Sequence, residues 1–555
     1  MIHSRSLVLY AMALLASAGC KKKEAAPAGD GSGSAPAAGS ATASLKTGVR
    51  ASLGGGKPGE GFAPSKQGFK FQNYGGDAKF ENLTPVEVKR LFGADVCADA
   101  DDKGNCILTP AGERWMQENN KAMDGGHCEG MATLALLFDL KKANPADFGA
   151  STAFELAIEG NAKLQHEIAY WFSTQSIAPM SKAEVRTLTP NEIADKLAEG
   201  FKTGAESYTI GIYMLDGSGG HATTPYAIVD KSDTETWIMH YDNNFPGEER
   251  HIDIDRKANT WKYFTAADPK EPGSVYEGNA DSKSLTIAPT SVRTGALICP
   301  FCGEIDDAKD DETRAKGSRR IMLDGDAHLL ITDDTGKKIG YDGGKLVNEI
   351  PGAQAIEPKA MARRADSEPV YDLPSGHKLV VTLDGSALKK KDASDVSLIA
   401  NGYTMGVYGV DLEPGEKDTI EFSADWKEIS YTTQLADTPD LELGVATLGA
   451  DYKFEIHASG EEGGQRVDIS LDAKAGTLGV SAAAKDGAAT YEVIVHRIAD
   501  HGEQVFKHAG VAAGAKDKFV FHYADWQGNG KGMKVGVDKG GDGTIDEVED
   551  LTDEE

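Results

Sequence analysis

The stretch "SYTIGIYMLDGSGGHATTPYAIVDKSDTETWIMHYDNNFPG", residues 207–247, predicts three consecutive β-strands joined by turns. Its runs of β-branched, aromatic and aliphatic residues favour strands, and the Gly-rich segment after the first run favours a turn. We place the strands at residues 208–215, 221–229 and 236–241. In an antiparallel pair the start of one strand lies beside the end of the next. We therefore expect the side chain of Asp242 or Asn243 to lie near the ring of His221.

A second stretch, "MDGGHCEGMATLALLF" at residues 123–138, places Cys128 just before an apolar run with helical spacing. A thiol in the first turn of that helix faces unpaired backbone N–H groups and the positive end of the helix dipole, which favour the thiolate. The same N–H groups are suited to an oxyanion hole. Cys128 is therefore either a nucleophile at a helix start or a buried structural thiol, the more common state of a lone cysteine on an apolar helix.

Three blocks, "GGHCEGMA", "GGHATTPYAIVD" and "HYDNNFPG", follow one order along the chain: Cys at a helix start, His opening a strand, and Asp or Asn closing the next strand. This order resembles that of the papain-like cysteine peptidases in the broad sense. The blocks are similar to those of compact bacterial branches that include bacteriocin-processing and transglutaminase-like relatives. The resemblance covers roughly residues 80–265. It implies an α+β domain in which a helical part and an antiparallel sheet enclose a substrate cleft.

The resemblance also assigns roles to individual residues. It implies that Cys128 is the nucleophile and that His221 acts first as general base and then as general acid. It implies that Asp242 orients the His221 ring, with Asn243 as the alternative for that role. The three side chains together would form a Cys-His-Asp triad that reacts through an acyl-thioester intermediate.

The oxyanion hole departs from the family pattern. Papain-like enzymes usually carry a Gln six residues before the cysteine, and Ala122 occupies that position here. Gln117 and Asn120 are the nearby polar candidates for this function, although neither has the expected spacing. Hydrolytic activity therefore follows less directly from the resemblance than the fold does.

The cysteines indicate local disulfides. They are Cys20, Cys97, Cys106, Cys128, Cys299 and Cys302. If Cys20 carries a lipid, five remain, and at least one thiol has no partner within the chain. Pairing the close neighbours, Cys97 with Cys106 and Cys299 with Cys302, leaves Cys128 free. For "CPFCG" at residues 299–303 two alternatives stay open: half of a zinc site, with His328 as a third ligand, or a redox motif.

The first residues predict export. "MIHSRSLVLYAMALLASAGC", residues 1–20, has the basic start, apolar stretch and small-residue ending of a secretory signal peptide. Its ending resembles a bacterial lipobox, which implies cleavage before Cys20 and lipidation of that thiol; the alternative is an ordinary signal peptide cut nearby. By the same analogy, Lys21 directs the anchored protein to the outer membrane. The Ala-, Gly-, Ser- and Pro-rich residues 24–60 predict a flexible tether.

The charge of the chain excludes some partners. Its 555 residues carry a formal net charge of -29. Nucleic acid and anionic membrane surfaces are bound through Lys and Arg, which acidic residues outnumber here. We therefore expect no nucleic-acid partner, and expect membrane association only through the lipid anchor.

The C-terminal half predicts β-sandwich modules. After about residue 285 the sequence changes to short strand-like segments separated by Gly, Asp and Pro turns. "DTIEFSADW" ends at Trp426 and "DKFVFHYADW" ends at Trp526, an offset of 100 residues that indicates two similar units. We interpret the two tryptophans as core residues rather than ligand platforms.

The acidic C-terminal sequence partly matches a calcium-binding loop. In "DKGGDGTIDEVE" the template positions are filled by Asp538, Asp542, Thr544, Asp546 and Glu549. Gly540 replaces the usual third-position ligand, and the preceding "GMKVGV" favours a strand rather than a helix. A structural Ca²⁺ is the one cofactor that the sequence predicts, and the alternative is a solvated acidic tail.

These observations combine into one prediction. We divide the chain into a lipoprotein signal peptide (1–20), a flexible linker (21–65), a papain-like α+β domain (66–285), a β-rich module with the CxxC pair (286–395), the rest of a first Ig-like β-sandwich unit (396–440), a second unit (441–536) and an acidic tail (537–555). We expect a lipid-anchored cysteine peptidase or amidase of the cell envelope. Its β-modules are expected to bind a cell-surface polymer or protein. The alternatives are a transglutaminase-like acyltransferase and a non-enzymatic binding lipoprotein on an inactive scaffold.

Overall fold

A computed structural model describes most of the chain. The described residues are 48–54, 61–215, 219–264, 275–302, 318–359, 368–425, 427–433, 439–459, 466–483, 489–513, 516–526, 528 and 530–554. They all belong to one unit, residues 46–555. The predicted signal peptide, Cys20 and most of the predicted linker lie outside them.

Within the described residues there are eight α-helices. They are α1 (Pro64–Gln67), α2 (Pro85–Phe92), α3 (Pro110–Ala122), α4 (Cys128–Asp139), α5 (Ala162–Ser173), α6 (Met180–Ala183), α7 (Pro190–Thr203) and α8 (Thr290–Arg293). Ten strands share this part of the chain: β1 (Gly48–Ser52), β2 (Cys97–Ala100), β3 (Cys106–Leu108), β4 (Tyr208–Tyr213), β5 (Gly220–Asp230), β6 (Glu235–Tyr241), β7 (Arg250–Asp255), β8 (Thr260–Phe264), β9 (Val275–Asn279) and β10 (Leu285–Pro289).

Twenty strands follow. They are β11 (Ser318–Asp324), β12 (His328–Asp333), β13 (Lys338–Asp342), β14 (Lys345–Asn348), β15 (Gln354–Ile356), β16 (Val370–Pro374), β17 (Leu379–Asp384), β18 (Asp392–Ala400), β19 (Tyr403–Leu412), β20 (Lys417–Phe422), β21 (Glu428–Thr432), β22 (Asp440–Thr447), β23 (Ala450–Ser459), β24 (Arg466–Asp472), β25 (Thr477–Ala483), β26 (Ala489–Ala499), β27 (Gly502–Ala513), β28 (Lys518–Phe521), β29 (Met533–Asp538) and β30 (Glu547–Leu551).

The first part of the chain is an α/β region built on an antiparallel sheet. The strand order is β10-β4-β5-β6-β7-β8-β9, and β1 pairs with β5 off this path. The three strands predicted from residues 207–247 are β4, β5 and β6, with bounds within two residues of the predicted ones. Helices α4 and α7 contact β5, so the sheet is covered by apolar helix faces. The architecture is mixed α/β with antiparallel strands.

Helix α4 lies in the interior of this region. The residues from Cys128 to Phe138 are all buried, which fits an apolar helix enclosed on every side. Gly130 lets α5 come close, because a Cβ at that position would lie 2.1 Å from the carbonyl oxygen of Ile168. The helix start that carries Cys128 is therefore held firmly between α5 and the sheet.

Both predicted borders of the α/β region differ from the observed ones. The linker was expected to reach residue 65, but Gly48–Ser52 forms strand β1 on β5, and Phe62 is buried in the core. The region was expected to end at residue 285, but β10 pairs along its whole length with β4. The physical reason is that a short strand gains its stability from its partner strand, so composition alone misplaces it.

The second part is a β-sandwich of two long sheets. One sheet has the order β15-β16-β11-β18-β19-β22-β23-β26-β27, and the other has β14-β13-β12-β17-β20-β21-β24-β25-β28-β29-β30. A single apolar core fills the space between them, with members from Ile321 to Leu551. Trp526 belongs to this core at 2% exposure, as predicted; Trp426 lies outside the described residues.

The internal repeat is shorter than predicted. Hairpins β18-β19, β22-β23 and β26-β27 lie in one sheet and alternate along the chain with β20-β21, β24-β25 and β28-β29 in the other. Hairpins β18-β19, β22-β23 and β26-β27 begin at residues 392, 440 and 489, so the repeat length is about 50 residues. The offset of 100 residues between the motifs that end at Trp426 and Trp526 therefore equals two repeats. Because β19 pairs with β22 and β21 pairs with β24, both sheets run across the border predicted at residue 440.

The structure has both predicted disulfides. Cys97 is bonded to Cys106, and Cys299 is bonded to Cys302. Among the described residues Cys128 is the only free cysteine, and it is buried. The disulfide in "CPFCG" is therefore confirmed, and two bonded sulfurs are not zinc ligands. The redox alternative stays a prediction, because a redox-active CxxC pair has the same bond when it is oxidised. Across the part of the chain that the structure covers, every helix is too short or too polar to cross a bilayer.

Candidate active site

Cys128 is the first residue of α4. The chain enters the helix through Gly126, whose φ of 135° is a conformation that favours glycine, and His127 is the N-terminal cap position. Cys128 is 0% exposed and packs with Ala132 and Ala222. The thiol therefore lies at the helix N-terminus as predicted, next to the residue that follows His221.

His221 and Asp242 meet as the strand order predicts. His221 lies at the second position of β5, and Asp242 directly follows β6, the antiparallel neighbour of β5. Nε2 of His221 lies 2.7 Å from Oδ1 of Asp242. Both residues are 0% exposed. The pair is thus withdrawn from water, and the ring has a fixed orientation.

Two neighbours complete the environment of the Asp242 carboxylate. The hydroxyl of Tyr263 donates to Oδ2 at 2.5 Å, and the backbone N–H of Asn244 donates to Oδ1 at 2.9 Å. The side-chain nitrogen of Asn244 also lies 3.3 Å from Nε2 of His221. Hydrogen bonds of this kind favour the ionised carboxylate. Asp242 is therefore held as an anion facing the ring.

The pKa values of His221 and Asp242 shift in opposite directions. Burial by itself would lower the pKa of His221, but the charge and hydrogen bond of Asp242, together with an interaction with Cys128, raise it to about 10. Burial would raise the pKa of Asp242, but His221 holds it well below its usual value. At neutral pH the geometry therefore favours an imidazolium–carboxylate pair in the interior, next to Cys128.

Asn243 does not contact the ring in the manner proposed for the orienting residue. Its side-chain nitrogen donates to the carbonyl oxygens of Cys128, at 3.0 Å, and Ala222, at 3.1 Å. It thereby ties the start of α4 to β5 and fixes the thiol relative to the ring. Of the two candidates for the orienting role, the structure brings Asp242 to His221.

The predicted oxyanion candidates lie elsewhere. Gln117 donates to the side chain of Glu113, and both polar atoms of Asn120 bond the backbone of Leu83. The oxyanion role of these two residues stays a prediction. Sequence reasoning missed Gln175, a buried residue whose Oε1 accepts a hydrogen bond from the backbone N–H of Lys359 at 2.7 Å.

Lys359 comes from the sandwich and reaches the thiol. The Sγ of Cys128 donates to the carbonyl oxygen of Lys359 at 3.3 Å, across 231 residues of sequence. Lys359 is 2% exposed and lies three residues after β15. Nothing in the sequence around residue 359 indicates this contact.

The side chain of Lys359 enters a buried cluster of carboxylates. Its Nζ lies 2.9 Å from Glu184 and 3.3 Å from Glu129, the residue after Cys128. The other oxygen of Glu129 is bound by Arg293 and by the hydroxyl of Thr209. Burial would raise the pKa of both carboxyls, but Lys359 holds each below its usual value. The cluster is therefore ionised.

The residues of the predicted calcium loop form a hairpin turn between β29 and β30. Both oxygens of Asp538 accept backbone hydrogen bonds, from Asp542 at 3.0 Å and Gly543 at 2.8 Å. Asp546 accepts from Lys539, the N–H of Thr544 donates to Asp542, and Glu549 lies in β30. Among the described residues, no three His, Cys, Asp or Glu side chains are grouped so as to hold a metal ion. The calcium site stays a prediction.

Comparisons with known proteins add no family. No protein-family model, no curated protein and no solved structure matches this chain.

Proposed function

We propose that the chain is a cysteine hydrolase acting on amide bonds, with Cys128 as nucleophile, His221 as general base and acid, and Asp242 as the residue that orients His221. The observation that carries the proposal is the buried hydrogen bond between Asp242 and His221, together with the interaction of His221 with Cys128 at a helix N-terminus. The resemblance to papain-like cysteine peptidases supports the same roles.

The proposed chemistry follows from these positions. The Cys128 thiolate attacks the substrate carbonyl carbon, and the His221 imidazolium gives its proton to the leaving amine. His221 then takes a proton from water, which attacks the thioester and releases the acid. In this mechanism the unpaired N–H groups in the first turn of α4 stabilise the oxyanion.

One observation favours a non-enzymatic scaffold as the second candidate. Cys128 and His221 are both 0% exposed, so a substrate reaches them only after something moves. Under this alternative the buried pair is purely structural. The pH dependence of the alkylation rate of Cys128 distinguishes the enzyme from the scaffold. Burial lowers this rate at every pH, whereas a thiolate–imidazolium pair changes how the rate depends on pH.

The test is alkylation of Cys128 by iodoacetamide under non-reducing conditions, mapped by mass spectrometry between pH 5 and pH 8. We expect the rate to change less than about 10-fold in the wild type, and by about 1000-fold in His221→Ala, where no imidazolium lies beside the thiol. His166→Ala is the matched control, since His166 bonds Glu81 and Asn82 and does not contact Cys128. A wild-type rate that falls about 1000-fold toward pH 5 would favour the scaffold.

The proposal includes export and a lipid anchor on Cys20. The two disulfides support an oxidising compartment, since such bonds persist in exported proteins and are rare in the cytosol. The intact mass of the protein purified from the membrane fraction tests the anchor. We expect the mass of a chain that begins at Cys20 with added acyl groups, and we expect Cys20→Ala to abolish the addition.

A further inference from the structure

Cys128 and His221 are 0% exposed, so a substrate reaches them only after a neighbouring element moves. Two of the neighbouring elements are firmly fixed. The side chain of Asn243 joins α4 to β5, because it donates to the carbonyl oxygens of Cys128 at 3.0 Å and Ala222 at 3.1 Å. Strand β5 in turn pairs with β4 on one side and with β6 on the other. The element that moves is therefore neither α4 nor β5.

A third element covers the thiol: residues 357–359, which we call the strap. The strap follows β15, a strand of three residues that pairs with β16. Within the described residues, the backbone of Lys359 bonds side chains instead of a neighbouring strand. Its N–H donates to Gln175 at 2.7 Å, and its carbonyl oxygen accepts from the Cys128 thiol at 3.3 Å. A segment attached in this way opens at a lower cost than a helix or a strand that is paired on both sides.

The side chain of Lys359 lies along the strands that carry the proposed catalytic base. A Cβ on Gly211 of β4 would lie 3.0 Å from Cδ of Lys359, and one on Gly220 of β5 would lie 3.7 Å from its Cγ. Gly220 directly precedes His221. Lys359 is itself 2% exposed, so its aliphatic stem fills the space beside the start of β5. The strap thus covers the thiol with its carbonyl group and the start of the His221 strand with its side chain.

Two ion pairs hold the strap in place. The Lys359 ammonium lies 2.9 Å from Glu184 and 3.3 Å from Glu129. Arg293 also bonds Glu129, and the side chains of both are buried. Arg186 also bonds Glu184, at 2.9 Å. The Lys359 ion pairs can therefore open without leaving a buried carboxylate unpaired, the state that is strongly disfavoured.

We propose that the strap is an autoinhibitory contact: it closes the Cys128 site in the folded protein, and the ion pairs of Lys359 with Glu129 and Glu184 hold it closed. The inference rests on the proposed function and concerns the regulation of the same site. Hydrolysis in the wild type is then limited by the fraction of molecules in which the strap is displaced, and a substrate competes with the strap for the space beside the thiol.

Alkylation of Cys128 by iodoacetamide at the single pH of 7.5 tests the strap. Lys359→Glu places a carboxylate against Glu129 and Glu184, and like charges at this distance repel. We expect the variant to react at least about 100-fold faster than the wild type, because the strap is displaced. Lys338→Glu is the matched control, with the same change of charge on β13, where Lys338 pairs with Asp342 at the surface. It should react like the wild type. An unchanged rate in Lys359→Glu would overturn the inference.

A milder variant guards against misfolding. Lys359→Met keeps the length of the side chain and removes only its ion pairs, while the two arginines stay on the carboxylates. We expect it to fold like the wild type in urea denaturation and to react about 10-fold faster with iodoacetamide at pH 7.5. If Lys359→Glu does not fold, a Lys359→Met that folds and reacts at the wild-type rate would contradict the inference.

Hydrogen exchange in the wild type measures the same opening without a variant. The N–H of Lys359 exchanges only when its bond to Gln175 breaks, and Cys128 reacts only when the strap leaves it. We expect the opening equilibrium constants from exchange at Lys359 and from alkylation of Cys128 to agree within about 3-fold, while the N–H groups of α4 exchange more slowly. Exchange in α4 as fast as at Lys359 would mean that the helix opens instead of the strap.

The strap and the proposed function fail in different ways. The function depends on how the alkylation rate changes between pH 5 and pH 8, whereas the strap depends on the rate at one pH. We expect Lys359→Glu to hydrolyse a denatured protein substrate at least about 10-fold faster than the wild type. A flat pH profile with an unchanged rate in Lys359→Glu would overturn the strap and leave the cysteine hydrolase standing. Fast alkylation of Lys359→Glu that falls about 1000-fold toward pH 5, with no hydrolysis, would overturn the hydrolase and with it the inhibitory role of the strap.

Discussion

In the α/β region the ionisable side chains of His221, Asp242 and Glu129 are each 0% exposed and lie around a single thiol, whereas the sandwich fills its interior with apolar side chains. The sandwich also has buried carboxylates, such as Asp418, which accepts from Tyr431 at 2.6 Å. None of these lies beside a free thiol, because Cys128 is the only free cysteine among the described residues.

The two regions differ in what their interiors contain: the sandwich is packed mainly with apolar side chains, and the α/β region buries charged groups around a thiol. Removing a charge from water costs several kcal/mol per ion, and even a well-paired buried ion pair often adds no net stability over apolar packing. The large apolar cluster of the sandwich, made of aliphatic and aromatic residues, is therefore the main source of its stability. Buried charges that shift each other's pKa and converge on a nucleophile are typical of functional sites.

The largest effect should come from the orienting carboxylate. We expect Asp242→Asn to lower the rate of hydrolysis of a denatured protein substrate by about 10,000-fold, because the imidazolium loses its counter-ion and the ring its fixed tautomer. Asp253→Asn is the matched control, since Asp253 is 39% exposed and pairs with His251 at the surface. If Asp242→Asn lowers the rate of hydrolysis by less than about 10-fold, the His221–Asp242 pair is structural, like the buried charges of the sandwich.

A core substitution in the sandwich should act on stability instead. Phe454 is 0% exposed and stacks edge-on against Tyr523, with the ring centroids 4.9 Å apart. We expect Phe454→Ala to lower the free energy of unfolding by about 3–5 kcal/mol in urea denaturation. Phe264→Ala, at a 53% exposed position, should change it by less than about 0.5 kcal/mol. The pH profile of Cys128 alkylation should not change in either variant.

The buried pair predicts a pH dependence of stability. The pKa of His221 is raised to about 10, so its contribution is complete below its unfolded value of about 6.5 and is lost as the pH rises through about 10. The lowered pKa of Asp242 gives a contribution that is complete above about 3.9 and is lost in acid. The pair is therefore at full strength between about pH 4 and 6.5.

Urea denaturation at pH 6 and pH 9.5 measures this effect. The difference in free energy of unfolding between the wild type and Asp242→Asn should shrink by at least about 1.4 kcal/mol at the higher pH, the value of one pKa unit. A difference that stays constant would mean that His221 is not charged in the folded protein.

The smallest effect should come from a surface ion pair of the sandwich. Lys507 pairs with Glu492 at 2.8 Å, and their side chains are 42% and 32% exposed. We expect Lys507→Met to change the free energy of unfolding by less than about 0.5 kcal/mol, because solvent screens such a pair. A loss as large as the about 3–5 kcal/mol expected for Phe454→Ala would contradict this prediction.

What the sequence determined was local or followed from chain order. The β-branched runs placed β4, β5 and β6, the helical spacing placed α4, and the short separations gave both disulfides. His221 and Asp242 meet because consecutive antiparallel strands bring their adjoining ends together. These features depend on residues near one another along the chain, and so they leave a readable pattern.

Only the tertiary structure decided what surrounds the thiol. Lys359 reaches Cys128 across 231 residues, and Glu129 pairs with Arg293 across 164. Gln175 accepts a hydrogen bond from the backbone of Lys359 across 184 residues, and both long sheets run through the border expected between two units. Contacts between distant segments depend on how helices and sheets pack, and packing leaves no periodic signal in the sequence around either partner.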